Sequence, residues 1–183
     1  TVAWDVPGVG RVGFQDLHFK PISEGPTQLV LESDLGDNNA IRVVHKLEGY
    51  QVKTDINFIG VERLTERQRL FTWNALGQRN EKGLQWERQH SAIYYLELGE
   101  ERDYLSDGQE DEEVLESGLS WLAFKQNYFS ALVGSPEPFA AGAKIANILP
   151  EDDTTHVMGY AAEIPYDGQQ LHFYFGPNDV AEL

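Results

Sequence analysis

Histidines and carboxylates are the side chains in this sequence that could bind a metal or move a proton, because cysteine is absent. The lack of cysteine excludes disulfides, thiolate nucleophiles and Cys-ligated zinc. No two histidines lie within five positions of each other, so neither a helical metal pair nor an H-E-x-x-H zinc motif occurs. We therefore expect no metal site and no bound cofactor. The histidines are His18, His45, His90, His156 and His172.

Three short motifs resemble ligand sites without meeting their requirements. Oxygen ligands recur through Asp107–Asp111, but Gly108 comes too early and Gln109 replaces a carboxylate of the calcium-loop pattern. Residues 34–39 are similar, and a solvated turn is the favoured interpretation of both. The run Gly8–Gly13 matches G-x-G-x-x-G, yet no strand precedes it and no helix-like run follows. It does not predict a dinucleotide site.

Aromatic residues and acids leave a carbohydrate-related interpretation open. Trp73, Trp86, Tyr94 and Tyr95 could form a platform on which a sugar ring stacks, beside a pair of carboxylates for glycoside cleavage. The alternative is that these rings fill the core of a β-sandwich, as aromatic residues of strands usually do. No G-x-S-x-G nucleophile elbow occurs.

The elements that must position these residues are mainly strands. In 183 residues, 41% of them hydrophobic, apolar side chains alternate with polar ones, most clearly over Tyr50–Ile59. This pattern predicts one all-β domain over residues 1–183, an antiparallel sandwich or barrel. Only short helices are expected, over residues 61–70 and starting at residue 177. The acidic stretch 99–117 is expected to be a loop or hairpin tip. Predicted strands cover residues 29–34, 40–47, 50–59, 70–76, 91–98, 119–133 (one or two strands), 143–149, 155–164 and 171–175.

The charge balance limits the partners. Fourteen Lys and Arg against 30 Asp and Glu give 14 − 30 = −16, which argues against nucleic-acid binding and against a polybasic face for anionic lipid. Residues 132–150 are the longest weakly polar stretch, but glycines and prolines break it, so no transmembrane helix is expected. The sequence does not begin with Met or a signal peptide, and we expect it to be a piece of a longer protein.

Three blocks, in this order, resemble the large periplasmic domain of the YidC membrane-protein insertase family. Residues 41–58 resemble its paired strands, and Gly118–Val133 resembles its G-W-x-A-x-x-Q-x-Y-F segment. Residues 171–183 resemble its last strand, a Gly-Pro turn and a linking helix. Asn178 stands where the family pattern has Lys, and the family's first strands have no recognisable counterpart here.

The resemblance implies a β-supersandwich of the galactose-mutarotase-like kind, on the periplasmic side of an inner membrane. It implies a non-catalytic scaffold and interaction module that assists insertion and folding of membrane proteins. The implied partners are the Sec components SecDF and SecYEG and nascent membrane proteins. The runner-up hypothesis is the carbohydrate-binding or carbohydrate-processing sandwich.

The resemblance also indicates which residues would couple the domain to a membrane-embedded core. They lie on the strand that begins at Trp121 and at the Gly-Pro turn, where glycine permits unusual dihedral angles and proline can start a helix. An ordinary strand-to-helix connection fits the same residues. The candidates are Trp121, Phe124, Tyr128, Phe129, Gly176 and Pro177.

Overall fold

The computed structural model describes residues 1–6, 9–61, 69–151 and 153–178. Fifteen strands, one α-helix and one short 3-10 helix (Phe14–Asp16) are assigned in them. The α-helix is α1, Leu84–Arg88. The strands are β1 Val2–Val6, β2 Gly10–Gly13, β3 Lys20–Glu24, β4 Gln28–Gly36, β5 Asn39–Glu48, β6 Gln51–Ile59, β7 Arg69–Gln78, β8 Ala92–Glu97, β9 Asp103–Tyr104, β10 Asp111–Val114, β11 Leu119–Lys125, β12 Phe129–Phe139, β13 Lys144–Ile148, β14 His156–Tyr166 and β15 Leu171–Pro177.

The strands form two open antiparallel sheets. One has six strands in the order β10-β13-β14-β7-β1-β2, and the other has nine in the order β3-β4-β5-β6-β15-β12-β11-β8-β9. Every pairing between described strands is antiparallel. The predicted all-β fold is confirmed, and of the two architectures that the alternating pattern allowed, the chain forms the sandwich.

Local sequence explains the hairpins. Between β4 and β5, Asp37 and Asn38 have φ of 52° and 62°, the left-handed conformation that a two-residue hairpin turn requires at both positions. Asn and Asp tolerate it better than other residues with a Cβ. On β6, Thr54 and Ile56 are buried while Gln51 and Asn57 are exposed, as the alternation predicts.

The core lies between the two sheets, and a stack of three rings crosses it. Phe124 of β11 stacks on Trp73 of β7, with ring centroids 4.3 Å apart, and on Tyr160 of β14, at 5.0 Å. Phe124 is 3% exposed and Tyr160 is also 3% exposed. Because these rings come from both sheets, their contacts fix how one sheet sits on the other.

Some local predictions are wrong. The acidic stretch 99–117 contains two strands, β9 and β10, and β10 is an edge strand of the six-stranded sheet. An edge strand faces water on several sides, so β10 can carry charged residues at successive positions. The alternating pattern that predicts a strand is therefore missing. Strands also form over Val2–Val6, Gly10–Gly13 and Lys20–Glu24, and neither these strands nor α1 was predicted. The helices predicted at residues 61–70 and from residue 177 fall largely on 62–68 and 179–183, which lie outside the described residues.

Candidate functional site

The candidate residues lie mostly at one end of the sandwich, which we call the Asn178 end. It comprises the β5–β6 turn, the last residues of β7, the β11–β12 turn (126–128) and the end of β15. In register, Phe129 of β12 faces Pro177 of β15, and the Gln126 amide donates to the Gln78 carbonyl oxygen at 3.2 Å. We call the other end, where the β8–β9 turn and the start of β11 meet, the opposite end.

Asn178 fastens the last described residue to the β11–β12 turn. Its side-chain amide donates to the carbonyl oxygens of Gln126 (2.7 Å) and Asn127 (3.1 Å). Its Oδ1 accepts from the Ser130 hydroxyl at 2.6 Å, and its backbone N–H donates to the Tyr128 carbonyl oxygen at 2.8 Å. Sequence reasoning noted Asn178 only as a departure from the family pattern, because its partners lie about fifty residues away.

The prediction of a Gly-Pro turn at residues 176–177 is wrong, because both residues belong to strand β15. Gly176 has no left-handed φ. It is needed for space, since a Cβ there would lie 2.6 Å from the Tyr174 phenolic oxygen. That phenol crosses the glycine to donate to the Pro177 carbonyl oxygen at 2.6 Å. The glycine therefore allows the tyrosine to hold the end of the strand.

A groove of about 610 Å³ opens between the sheets at the Asn178 end, and we call it the terminal groove. Thirteen residues line it, and none of them is charged, although charged residues make up 24% of the chain. Its walls include the exposed side chains of Tyr50, Leu76, Phe129 and Phe175, each about half accessible to solvent. Phe124 forms part of its floor.

Four of the six candidates therefore line this groove: Phe124, Phe129, Gly176 and Pro177. Trp121 does not. On β11, Leu122 and Phe124 belong to the core, so the alternation puts Trp121 on the outer face of the nine-stranded sheet, opposite Gly134. The prediction grouped Trp121 with Phe124 because they are close in sequence. They are three residues apart on a strand, however, and this odd spacing puts their side chains on opposite faces of the sheet.

Tyr128 connects the β11–β12 turn to the loop that follows β7. Its hydroxyl donates to the Glu81 carboxylate at 2.6 Å, and this hydrogen bond raises the pKa of the Tyr128 phenol. The loop is held in turn by Glu87, whose carboxylate is fully buried and accepts from the backbone N–H groups of Asn80 and Glu81 at 2.9–3.1 Å. Glu87 is a structural residue of this site that the sequence pattern did not reveal.

The four rings considered as a sugar platform lie in separate places. Trp73 stacks in the core, and Trp86 on α1 lies against His90, with ring centroids 4.4 Å apart. Tyr95 is 3% exposed, while Tyr94, on the other face of the same strand, stacks on Tyr104. No described arrangement joins these rings into one surface beside a carboxylate pair.

The acidic motifs hold turns. Asp111 accepts from the Ser106 backbone N–H, and Asp34 accepts from that of Gly36. Asp153 accepts from Thr155 and His156, and these hydrogen bonds lower the pKa of its carboxyl. Within ranges 1–6, 9–61, 69–151 and 153–178, no group of three or more His, Asp or Glu is arranged to hold a metal ion.

Comparison with known proteins finds similar sequences among the YidC membrane protein insertases. A membrane protein insertase YidC of Parabacteroides distasonis is 26% identical over 183 residues, covering 94% of this chain and 29% of that protein. The chain is similar to the YidC insertases over most of its length. YidC of Porphyromonas gingivalis is 29% identical over 67% of the chain, and YidC of Amoebophilus asiaticus is 27% identical over 80%. No family model matches the sequence.

These matches confirm the resemblance to YidC drawn from the three sequence blocks. The chain spans 20–29% of the length of the YidC proteins described above. Among the residues that the structure describes, no helix is long and apolar enough to cross a membrane.

The Asn178 contacts predict a measurable loss of stability. Replacing Asn178 with Ala removes three side-chain hydrogen bonds that tie β15 to the β11–β12 turn, and we expect unfolding to become easier by about 1–3 kcal/mol. Urea denaturation of the 183-residue chain measures this. Asn57→Ala, on an exposed position of β6, is the matched control and should change stability by less than about 0.5 kcal/mol. Equal effects of the two substitutions would contradict the role given to Asn178.

Proposed function

We propose that this chain is the periplasmic domain of a YidC-type membrane protein insertase. It is a non-catalytic scaffold that assists the insertion and folding of inner-membrane proteins together with SecDF and SecYEG. Nascent membrane proteins are the substrates of the complete protein. The domain itself lies outside the lipid, on the periplasmic side of the inner membrane.

The observation that carries this proposal is that hydrogen bonds hold the end of β15 in place, in a chain that is similar to the YidC insertases. Asn178 and Tyr174 hold the last strand against its neighbours through hydrogen bonds of 2.6–3.1 Å. These bonds fix the position of Asn178 relative to the β11–β12 turn. A scaffold needs such a rigid connection, because a loose one would not transmit its position to the rest of the protein.

The experiment is rescue of a bacterium depleted of its own YidC by the full-length gene that contains this chain. We expect growth to recover and newly made membrane proteins to insert. A second version of the full-length protein carries the destabilising substitution Phe124→Ala in this domain. We expect its steady-state level in the cell to be lower than that of the wild-type protein. Failure of a well-expressed wild-type protein to restore growth overturns the insertase assignment.

The Sec partnership has its own readout. A photo-crosslinking amino acid is placed at exposed positions of the full-length protein at both ends of the sandwich, Leu98 and Tyr128. Antibodies against SecD, SecF and SecY then identify any adducts. An adduct with one of these proteins supports the partnership, and the absence of adducts at both positions in a rescuing strain contradicts it.

A further inference from the structure

A second cavity lies between the two sheets, and we call it the inner pocket. Its volume is about 240 Å³, and it shares no lining residue with the terminal groove. Nine of its twelve lining residues are apolar, and none is an acid, a lysine or an arginine. Burying a charge against such walls is costly, so the lining points to an uncharged and largely apolar ligand.

Strand register explains why these side chains meet. Val43 of β5 lies between Leu31 of β4 and Ile56 of β6. Two positions further along β5, His45 pairs with Thr54 of β6. Residues two positions apart on a strand face the same side of the sheet. Because Val43 and Ile56 belong to the core, all five side chains face the six-stranded sheet and line the pocket from one side.

Phenylalanine rings form much of the remaining wall. Phe71 comes from the six-stranded sheet and Phe173 from β15, and their ring centroids are 5.9 Å apart. Phe14 and Phe19 lie in and just after the 3-10 helix, with ring centroids 5.1 Å apart. Phe14, Phe19 and Phe173 are only partly buried, so the pocket reaches the surface on their side. A flat aromatic ligand would find several ring partners there, at the spacing that aromatic pairs prefer.

A hydrogen-bonded polar pair interrupts the apolar lining. His45 Nδ1 lies 2.9 Å from the Thr54 hydroxyl, and Thr54 is 3% exposed. Burial lowers the pKa of His45, so its ring is neutral at pH 7. Within the described part of the chain, no residue forms a hydrogen bond with the other ring nitrogen, Nε2. A neutral imidazole with one nitrogen held by a hydroxyl has its other nitrogen available to a ligand.

The volume of the inner pocket suits a molecule of two fused rings. Protein interiors are close-packed and contain few voids larger than a water molecule, whose share of liquid volume is about 30 Å³. An engineered apolar cavity of about 150 Å³ stays dry and binds benzene. At about 240 Å³, the inner pocket has room for a larger ring system. A ligand of that size would restore the contacts that the side chains around an empty cavity lose.

We propose that the inner pocket binds a small uncharged aromatic molecule of about the size of indole, with one N–H group. The ring system lies among the phenylalanines of the wall. The N–H group donates to His45 Nε2, in the tautomer whose Nδ1–H donates to the Thr54 hydroxyl oxygen. This inference does not rest on the proposed function.

Titration of the isotope-labelled 183-residue chain with indole, followed by NMR spectroscopy, tests the inference. We expect saturable shifts of backbone amide signals, concentrated on lining residues such as Val43, His45 and Thr54. N-methylindole has the same rings without the N–H group, so it should bind about fivefold more weakly. In His45→Leu the preference for indole over N-methylindole should disappear, because the acceptor nitrogen is gone.

A cavity-filling substitution provides the steric test. Val43→Phe puts a larger side chain into the pocket and should abolish saturable binding of indole. The matched control is Val44→Phe, the same substitution at the next residue of β5, whose side chain lies on the other face of the sheet. It should bind indole as the wild type does. Near-UV circular dichroism and thermal melting establish that each variant is folded, and the His45→Leu comparison decides the matter if Val43→Phe does not fold.

The inference is overturned if indole causes no saturable shifts, or if Val43→Phe and Val44→Phe bind it equally well. An unchanged preference for indole over N-methylindole in His45→Leu contradicts the role given to His45. N-acetyltryptophanamide carries the indole ring on a peptide-like group. If it binds as tightly as indole, the pocket receives a tryptophan side chain of a polypeptide, and the small-molecule assignment is wrong. The rescue experiment decides the proposed function separately, because it does not depend on indole binding.

Discussion

Phe124→Ala is expected to lower the free energy of unfolding by about 3–5 kcal/mol, the range measured when a buried phenylalanine is truncated. The ring lies between Trp73 and Tyr160, with centroid distances of 4.3 and 5.0 Å, and is 3% exposed. Truncation removes both stacking contacts and leaves a void between the sheets. Tyr160 is further tied to this region because its hydroxyl donates to the Lys125 carbonyl oxygen at 3.1 Å.

Phe129→Ala is the matched control, because the same substitution five residues later, just beyond the β11–β12 turn, removes a ring that is 53% exposed. Its cost should stay within about 1 kcal/mol. Urea denaturation followed by tryptophan fluorescence and by far-UV circular dichroism measures both. Similar losses for the two variants would show that the inter-sheet stack does not hold the sandwich together.

Glu87→Ala is expected to lower the free energy of unfolding by about 2–4 kcal/mol. The carboxylate is 0% exposed and accepts hydrogen bonds from the backbone N–H groups of Asn80 and Glu81. Removing it leaves a cavity and takes the acceptor away from both donors, each of which then carries a desolvation cost. Glu87→Gln keeps the volume and one acceptor oxygen, so its cost should be intermediate.

The control is Glu110→Ala, at an exposed position, with an expected change within about 0.5 kcal/mol. Hydrogen exchange adds a local readout, because loss of Glu87 should expose the Asn80 and Glu81 amides to exchange before the sandwich unfolds. Slow exchange of these amides in Glu87→Ala would show that another group holds the loop.

The sandwich could be predicted because apolar and polar side chains alternate along its strands. This alternation can be recognised without knowing which strands are neighbours in the sheet. The pattern over residues 50–59 defines a buried and an exposed face by itself, and the turn at residues 36–39 identifies a hairpin through its residue types. Strands at the sheet edges were missed. In β10, Asp111–Val114, charged residues face water, so the amphipathic signal is lost.

The candidate site was predicted in part, and the errors have a geometric origin. The sequence blocks pointed to residues 121–129 and 176–177, and the register between β12 and β15 brings Phe129 and Pro177 together. The alternation of side chains along β11 puts Trp121 on the other face of the sheet from Phe124. The contacts of Asn178 and Glu87 cross tens of residues or lie inside a loop, and a linear pattern carries no trace of them.

The amino-acid sequence alone determined that this protein is an acidic, cysteine-free β-sandwich with a resemblance to the insertases, since composition, alternation and ordered blocks are properties of the linear chain. Only the tertiary structure decided that six carboxylates line a cleft at one end while an aromatic groove without charged lining residues opens at the other. The physical reason is that strand pairing and the packing of one sheet on another select which distant side chains become neighbours.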